Sequence, residues 1–71
     1  MAESVYKVIE IIGTSPVSWE KAAEAAVATA SKTIKDLRIA EVVELDLQIE
    51  DGKVVNYRTK LSLSFKYLGK D

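Results

Sequence analysis

The chain has 71 residues, of which 48% are hydrophobic, and a formal net charge of −1. This length predicts a single domain over residues 1–71. A domain of this size buries only about 60% of the surface that its unfolded chain would expose, so it is marginally stable alone. Since the chain has no cysteine and no histidine, a disulfide and a structural zinc site are excluded. Oligomerisation is the remaining support for so small a fold.

Charge and hydropathy patterning argue against several classes of partner. Acidic and basic residues are interleaved, whereas a nucleic-acid or anionic-membrane surface needs a basic patch. No stretch approaches the roughly 20 apolar residues of a membrane span, and the first residues lack a signal-peptide pattern. We therefore expect no nucleic-acid partner and no membrane partner, and we predict a cytoplasmic location.

The first predicted strand spans residues 4–12 and is rich in β-branched residues. Both of its sides are largely apolar, and a single helix cannot cover two faces, so this strand also points to a partner subunit. The segment GTSPV, residues 13–17, is predicted to be a turn because Pro16 cannot continue a strand ladder.

The predicted helix runs from Ser18 to Leu37 and is the only segment with a helical period. Ser18 is a good N-cap, because its hydroxyl can accept a hydrogen bond from an unpaired backbone N–H of the first turn. Most of the apolar stripe is alanine, which lets the helix axis approach a sheet closely. The stripe consists of Trp19, Ala23, Ala26, Ala30, Ile34 and Leu37.

Two further strands, residues 41–49 and 53–67, alternate apolar and polar residues and are joined by a short loop. Odd-numbered positions are predicted to face the core on both strands, so the numbers of directly opposed residues must have an even sum. A three-residue loop, Glu50 to Gly52, satisfies this condition and places Glu44 opposite Arg58. Residues 68–71 are expected to form a short, frayed polar tail.

The order of elements is β-α-β-β, which predicts an α+β fold. Placing the third strand in the centre makes every pair of neighbouring strands antiparallel. The resulting three-stranded antiparallel sheet is expected to wrap on the one helix through its odd-numbered face. The polar face then remains for solvent, a ligand or a cavity.

The sequence resembles the dodecin family over residues 4–67. The resemblance is carried by VYKVIEIIGTSP at the start, by LRIAEVVELD after the helix and by DGKVVNYRTKLSLSF at the end. It implies the same β-α-β-β fold and a hollow, spherical homododecamer that binds or stores small ligands.

The resemblance also implies a flavin site, and this chain departs from it. The family's stacking tryptophan corresponds to Ile39, its hydrogen-bonding glutamine to Arg58 and its acidic residue to Glu44. Isoleucine has no π-face, so a stacking contribution of roughly 0.5–1.5 kcal/mol is lost, and a Glu44–Arg58 ion pair would occupy the flavin volume. We predict that flavin binding is lost. The alternative is a dodecin that still binds riboflavin or FMN in an altered pocket.

Any metal must be held by oxygen atoms, which suits calcium or another hard divalent cation. One subunit offers too few carboxylates for calcium, but copies repeated around a symmetry axis could complete a site. A non-flavin branch of the family is associated with calcium, so the resemblance favours that ion. The alternative is a solvated sheet face with weak cross-strand ion pairs. The candidate ligands are Glu44, Asp46, Glu10 and Glu50.

The sequence is compatible with three classes of function. A binding or storage shell is preferred. An enzyme is not expected, because there is no histidine or cysteine to act as base or nucleophile and no glycine-rich phosphate loop, so no catalytic residue is assigned. A purely structural interaction module remains as a further alternative.

Overall fold

The computed structural model describes residues 3–67. Their elements are β1 (Tyr6–Ser15), α1 (Trp19–Ala30), β2 (Leu37–Glu50) and β3 (Lys53–Lys66). The three strands form one sheet in the order β1-β3-β2, and β3 is antiparallel to both neighbours. The predicted α+β class and the central place of the last strand are confirmed. The tail predicted for residues 68–71 lies outside the described residues.

The start of the helix follows the prediction, but its end does not. The Oγ of Ser18 accepts a hydrogen bond from the Lys21 backbone N–H at 3.0 Å, as expected of an N-cap. The helix ends at Ala30, so its predicted continuation to Leu37 is wrong.

The last turn of α1 tightens because backbone N–H groups bond to carbonyls three residues back. Lys32 donates to Thr29 at 3.2 Å and Thr33 donates to Ala30 at 3.1 Å. Such bonds tighten a terminal turn and commonly close an α-helix. The helix therefore ends before its predicted end, and Leu37 becomes the first residue of β2.

The prediction of a turn at residues 13–17 is also partly wrong, because β1 continues through Ser15. Gly13 is buried in this strand under the helix. A Cβ on Gly13 would overlap the Ala22 carbonyl oxygen and lie 2.9 Å from the Ala26 Cβ. Because Gly13 has no side chain, α1 can pack closely against the sheet at this position.

The hairpin between β2 and β3 has a two-residue turn, so the predicted three-residue loop is wrong. Asp51 and Gly52 both have positive φ, 52° and 75°, as a type I′ turn requires. Glu50 consequently pairs with Lys53, and a register shift between residues 48 and 49 restores the even sum. Between residues 44 and 48, the apolar alternation is thus kept by a β-bulge rather than by a longer loop. A second register shift, between Val42 and Glu44, makes the sum odd again, so the odd-numbered Ile39 and Glu41 lie opposite even-numbered residues of β3.

The small core lies between α1 and the sheet face formed by the odd-numbered residues of β1 and β3, as predicted for those two strands. The buried residues of β3 alternate with half-buried polar ones along the strand. Half-buried apolar residues of β1, α1 and β2 surround this core. The buried hydrophobic residues are Ala22, Ala26, Leu61 and Leu63.

Candidate functional site

The sheet face turned away from α1 carries the charged residues, and we call it the open face. It is formed by the even-numbered residues of β1 and β3, because successive side chains of a strand alternate between faces. The residues of β2 directly opposite them share this face. Its rows across the sheet are Val8–Ser64–Ile39, Glu10–Ser62–Glu41, Ile12–Lys60–Glu44 and Thr14–Arg58–Asp46.

All three positions implied by the flavin resemblance lie on the open face, but they do not form one pocket within a single copy. Ile39 lies opposite Ser64, and Arg58 lies six residues away from Ser64 along β3. At about 3.3 Å per residue, this separation is roughly 20 Å. Ile39 and Arg58 could therefore contribute to one ligand site only where two copies meet.

The predicted pairing of Glu44 with Arg58 is wrong, because Arg58 lies opposite Asp46. The Arg58 guanidinium donates from Nε to Asp46 Oδ1 at 2.8 Å and from Nη2 to Asp46 Oδ2 at 3.1 Å. Such a bidentate pair is directional as well as charged. The hydrogen bond from Arg58 holds the pKa of the Asp46 carboxyl below its ordinary value, and Asp46 raises the pKa of Arg58.

Glu44 and Glu10 are both turned toward Lys60 in the middle strand. The Lys60 Nζ lies 3.6 Å from Glu10 Oε1 and 4.0 Å from Glu44 Oε1. Lys60 thus links the carboxylates of the two edge strands through the strand between them. The role of Lys60 could not be predicted from the sequence, because it depends on the register of the hairpin.

Glu50, the fourth predicted metal ligand, lies at the end of β2 beside the turn at Asp51 and Gly52. It is exposed and has no ion pair among the described residues. It is also distant along the strand from Glu44. The structure therefore does not bring the four predicted carboxylates together.

These residues do not fit a calcium ion within one copy. Calcium takes six to eight oxygen ligands, and residues 3–67 contain no group of three or more potential ligand side chains that could hold a metal. Three of the four predicted carboxylates already face a cationic side chain of the same chain.

Trp19 lies on the helix side of the sheet, where it ties the start of α1 to the hairpin. Its ring meets that of Tyr57 edge to face at 5.2 Å, and its indole N–H donates to the Asp46 carbonyl at 3.1 Å. The buried Thr59 hydroxyl donates to the Trp19 carbonyl at 2.9 Å. Trp19 thus contacts the backbone beneath the Asp46–Arg58 pair but takes no part in the open face.

The fold is that of the dodecins, a family of small binding proteins. The dodecin family model matches residues 5–68, so the chain belongs to this family. The chain is 52% identical over 63 residues to the calcium dodecin of Mycobacterium tuberculosis, with 89% of each sequence covered. It is 39% identical over 62 residues to the dodecin of Thermus thermophilus, with 87% of this chain and 90% of that protein covered.

Solved structures of dodecins have the same fold. The crystal structure of the calcium-chelating calcium dodecin of M. tuberculosis, which has a novel calcium-binding site, matches with a TM-score of 0.84 and 51% identity. That match covers 96% of this chain and 97% of the other. The dodecin of Streptomyces coelicolor matches with a TM-score of 0.89 and 37% identity, covering 99% and 100% of the two chains.

Proposed function

We propose that this protein is a non-enzymatic binding or storage shell, a hollow homododecamer without a stacked flavin, that binds calcium where its copies meet. The proposed loss of flavin binding rests on the side chains of two residues. Ile39 presents no aromatic ring at the position that the family uses for stacking, and Arg58 is held by Asp46 rather than offering an amide.

Assembly is supported by the amount of apolar surface that one copy leaves uncovered. Within residues 3–67, thirteen large hydrophobic side chains are exposed, against four buried hydrophobic residues, two of which are alanine. The radius of gyration is 14.6 Å, whereas a compact chain of this length has about 11 Å. Large exposed apolar surfaces mark interaction sites, so further copies of the chain are the expected cover.

Calcium is supported by the 52% identity to a calcium dodecin. Since one copy cannot supply the ligands, the proposed site lies between copies, where a symmetry axis repeats each carboxylate. Glu50 is its first candidate ligand, because it is exposed and forms no ion pair with another of the described residues. No helix within residues 3–67 is long and apolar enough to span a membrane; the cytoplasm remains the predicted compartment.

A pair of titrations tests the proposal on the assembled protein. Riboflavin fluorescence is expected to be unquenched by the wild-type protein and to be quenched by the Ile39→Trp, Arg58→Gln double variant. Calcium measured by equilibrium dialysis is expected to bind the wild type and to bind Glu50→Gln more weakly. Stoichiometric quenching by the wild type would overturn the flavin part, and absence of calcium binding would overturn the ion part.

A further inference from the structure

Lys60 occupies the centre of the open face and is the most shielded member of its charged group. Its side chain is 34% exposed, whereas those of Glu10 and Glu44 are 53% and 65% exposed. The two glutamates lie on opposite edge strands and reach the same ammonium from both sides of β3. Lys60 is thus the cation shared by two carboxylates that are distant in sequence.

A divalent cation that bridged these carboxylates would need the position of the Lys60 ammonium. That ammonium is covalently attached, so its effective concentration at the two glutamates is far above that of a dissolved ion. Its positive charge would also repel an approaching divalent cation. Binding of a metal there therefore requires the lysine to leave both of its partners.

We infer that Lys60 is a built-in counter-ion that keeps Glu10 and Glu44 from binding divalent cations. It thereby directs calcium away from the middle of the open face. The inference states which carboxylates are available to bind calcium, so it rests on the proposed function of calcium binding. Its direct consequence is that the wild-type protein does not use Glu10 or Glu44 as calcium ligands.

The experiment compares calcium binding to the assembled wild-type protein and to Lys60→Gln, with calcium chloride as the only added metal. Glutamine removes the charge while keeping a polar side chain. We expect the assembled Lys60→Gln protein to bind more calcium than the wild type, and we expect this gain to vanish when Glu10→Gln and Glu44→Gln are added. Lys60→Arg keeps the charge and should retain the wild-type stoichiometry.

Lys66→Gln is the matched control, because Lys66 lies on the same strand and the same face and has no ion pair among the described residues. It should leave calcium binding unchanged. An equal gain in Lys66→Gln would show that net charge, rather than the position of Lys60, controls binding. Either that result or an assembled Lys60→Gln with wild-type stoichiometry would overturn the inference.

A second arm does not depend on the Lys60 variants folding. The double variant Glu10→Gln, Glu44→Gln in an otherwise wild-type chain should leave calcium affinity unchanged, and a loss of more than about tenfold would overturn the inference.

The failure of the proposed function and the failure of the inference about Lys60 can be distinguished. A wild type that binds no calcium while Lys60→Gln binds it contradicts the proposed function but supports the role of Lys60. A wild type that binds calcium, with no additional calcium bound by Lys60→Gln, supports the proposed function and contradicts the role of Lys60.

Discussion

The two faces of the central strand β3 are stabilised by different interactions. Toward α1, Thr59, Leu61 and Leu63 are almost completely buried, and their side chains face the helix. On the open face, Arg58 and Lys60 alternate with these residues, remain partly exposed and face carboxylates. One strand therefore supplies both the core of a single copy and a charged surface. Close packing governs the first face, and the positions of opposite charges govern the second.

On the helix side, Gly13→Ala is expected to disturb the packing of α1 against β1 strongly. The added Cβ would overlap the Ala22 carbonyl oxygen and press on Ala26, and overpacking of this kind costs about 1–3 kcal/mol or more. Thermal unfolding at a fixed chain concentration is expected to show a strongly lowered Tm and loss of the assembly.

Gly52→Ala is the control for Gly13→Ala. Gly52 also lacks a side chain, but open space surrounds it and its φ is +75°. Only left-handed backbone strain of about 1–2 kcal/mol is expected there, with assembly kept. A Gly13→Ala protein that is more stable than Gly52→Ala would contradict the close approach of α1 to β1.

Leu61→Ala sharpens the contrast between buried and uncovered apolar residues. Leu61 is only 1% exposed, so its truncation should lower the free energy of unfolding by about 2–5 kcal/mol. Leu45 is 51% exposed in one copy, so Leu45→Ala should leave the fold of that copy intact. Chemical denaturation and size-exclusion chromatography of both variants measure the difference. Equal destabilisation of the isolated copy by both changes would contradict the assigned core.

On the open face, Arg58→Gln should change the pKa of Asp46 and leave the fold intact. Arg58 lowers the pKa of Asp46 below its ordinary value. The stabilisation from this pair is therefore present above the unfolded-state pKa of about 3.9 and is lost as the pH falls through the lower folded-state pKa. In Arg58→Gln the Asp46 pKa should rise toward its ordinary value, and stability should depend less on pH in that acidic range.

Carboxyl titration of Asp46 followed by NMR measures this shift. Lys66→Gln again removes one positive charge from the same strand and should leave the Asp46 titration unchanged. An Asp46 pKa that is the same in the wild type and in Arg58→Gln would contradict the bidentate pair.

The smallest expected effect is that of Trp19→Phe, which bears on the link between the two sides of the sheet. Phenylalanine keeps an aromatic ring beside Tyr57 but loses the hydrogen bond to the Asp46 carbonyl. Loss of one hydrogen bond costs about 0.5–1.5 kcal/mol. Thermal unfolding should show a small decrease in Tm, with calcium binding unchanged. A change in calcium affinity would show that Trp19 influences the open face.

The sequence predicts the fold well because its main signals are local. Ser18 marks the start of the helix, and the alternation of odd and even residues assigns the two faces of the central strand β3. The end of the helix and the place of Gly13 were not predictable, since both depend on contacts between α1 and the sheet. Pro16 suggested a turn that the structure begins only after Ser15.

The candidate site was less predictable because it depends on the register of one hairpin. An even sum of paired residue numbers can arise from a three-residue loop or from a two-residue turn with a β-bulge. The Asp51-Gly52 dipeptide is a strong signal for the second solution. This choice moves the partner of Arg58 from Glu44 to Asp46 and brings Lys60 between Glu10 and Glu44.

A native mass spectrum of the purified protein in calcium-containing buffer, with visible absorbance and metal content measured on the same sample, tests the central claim most directly. The account predicts twelve times the chain mass of 7.8 kDa, excess mass that matches calcium, and no visible flavin band. A twelve-fold assembly that carries flavin would contradict the interpretation of Ile39 and Arg58. A monomer or dimer without calcium would contradict the proposed shell itself.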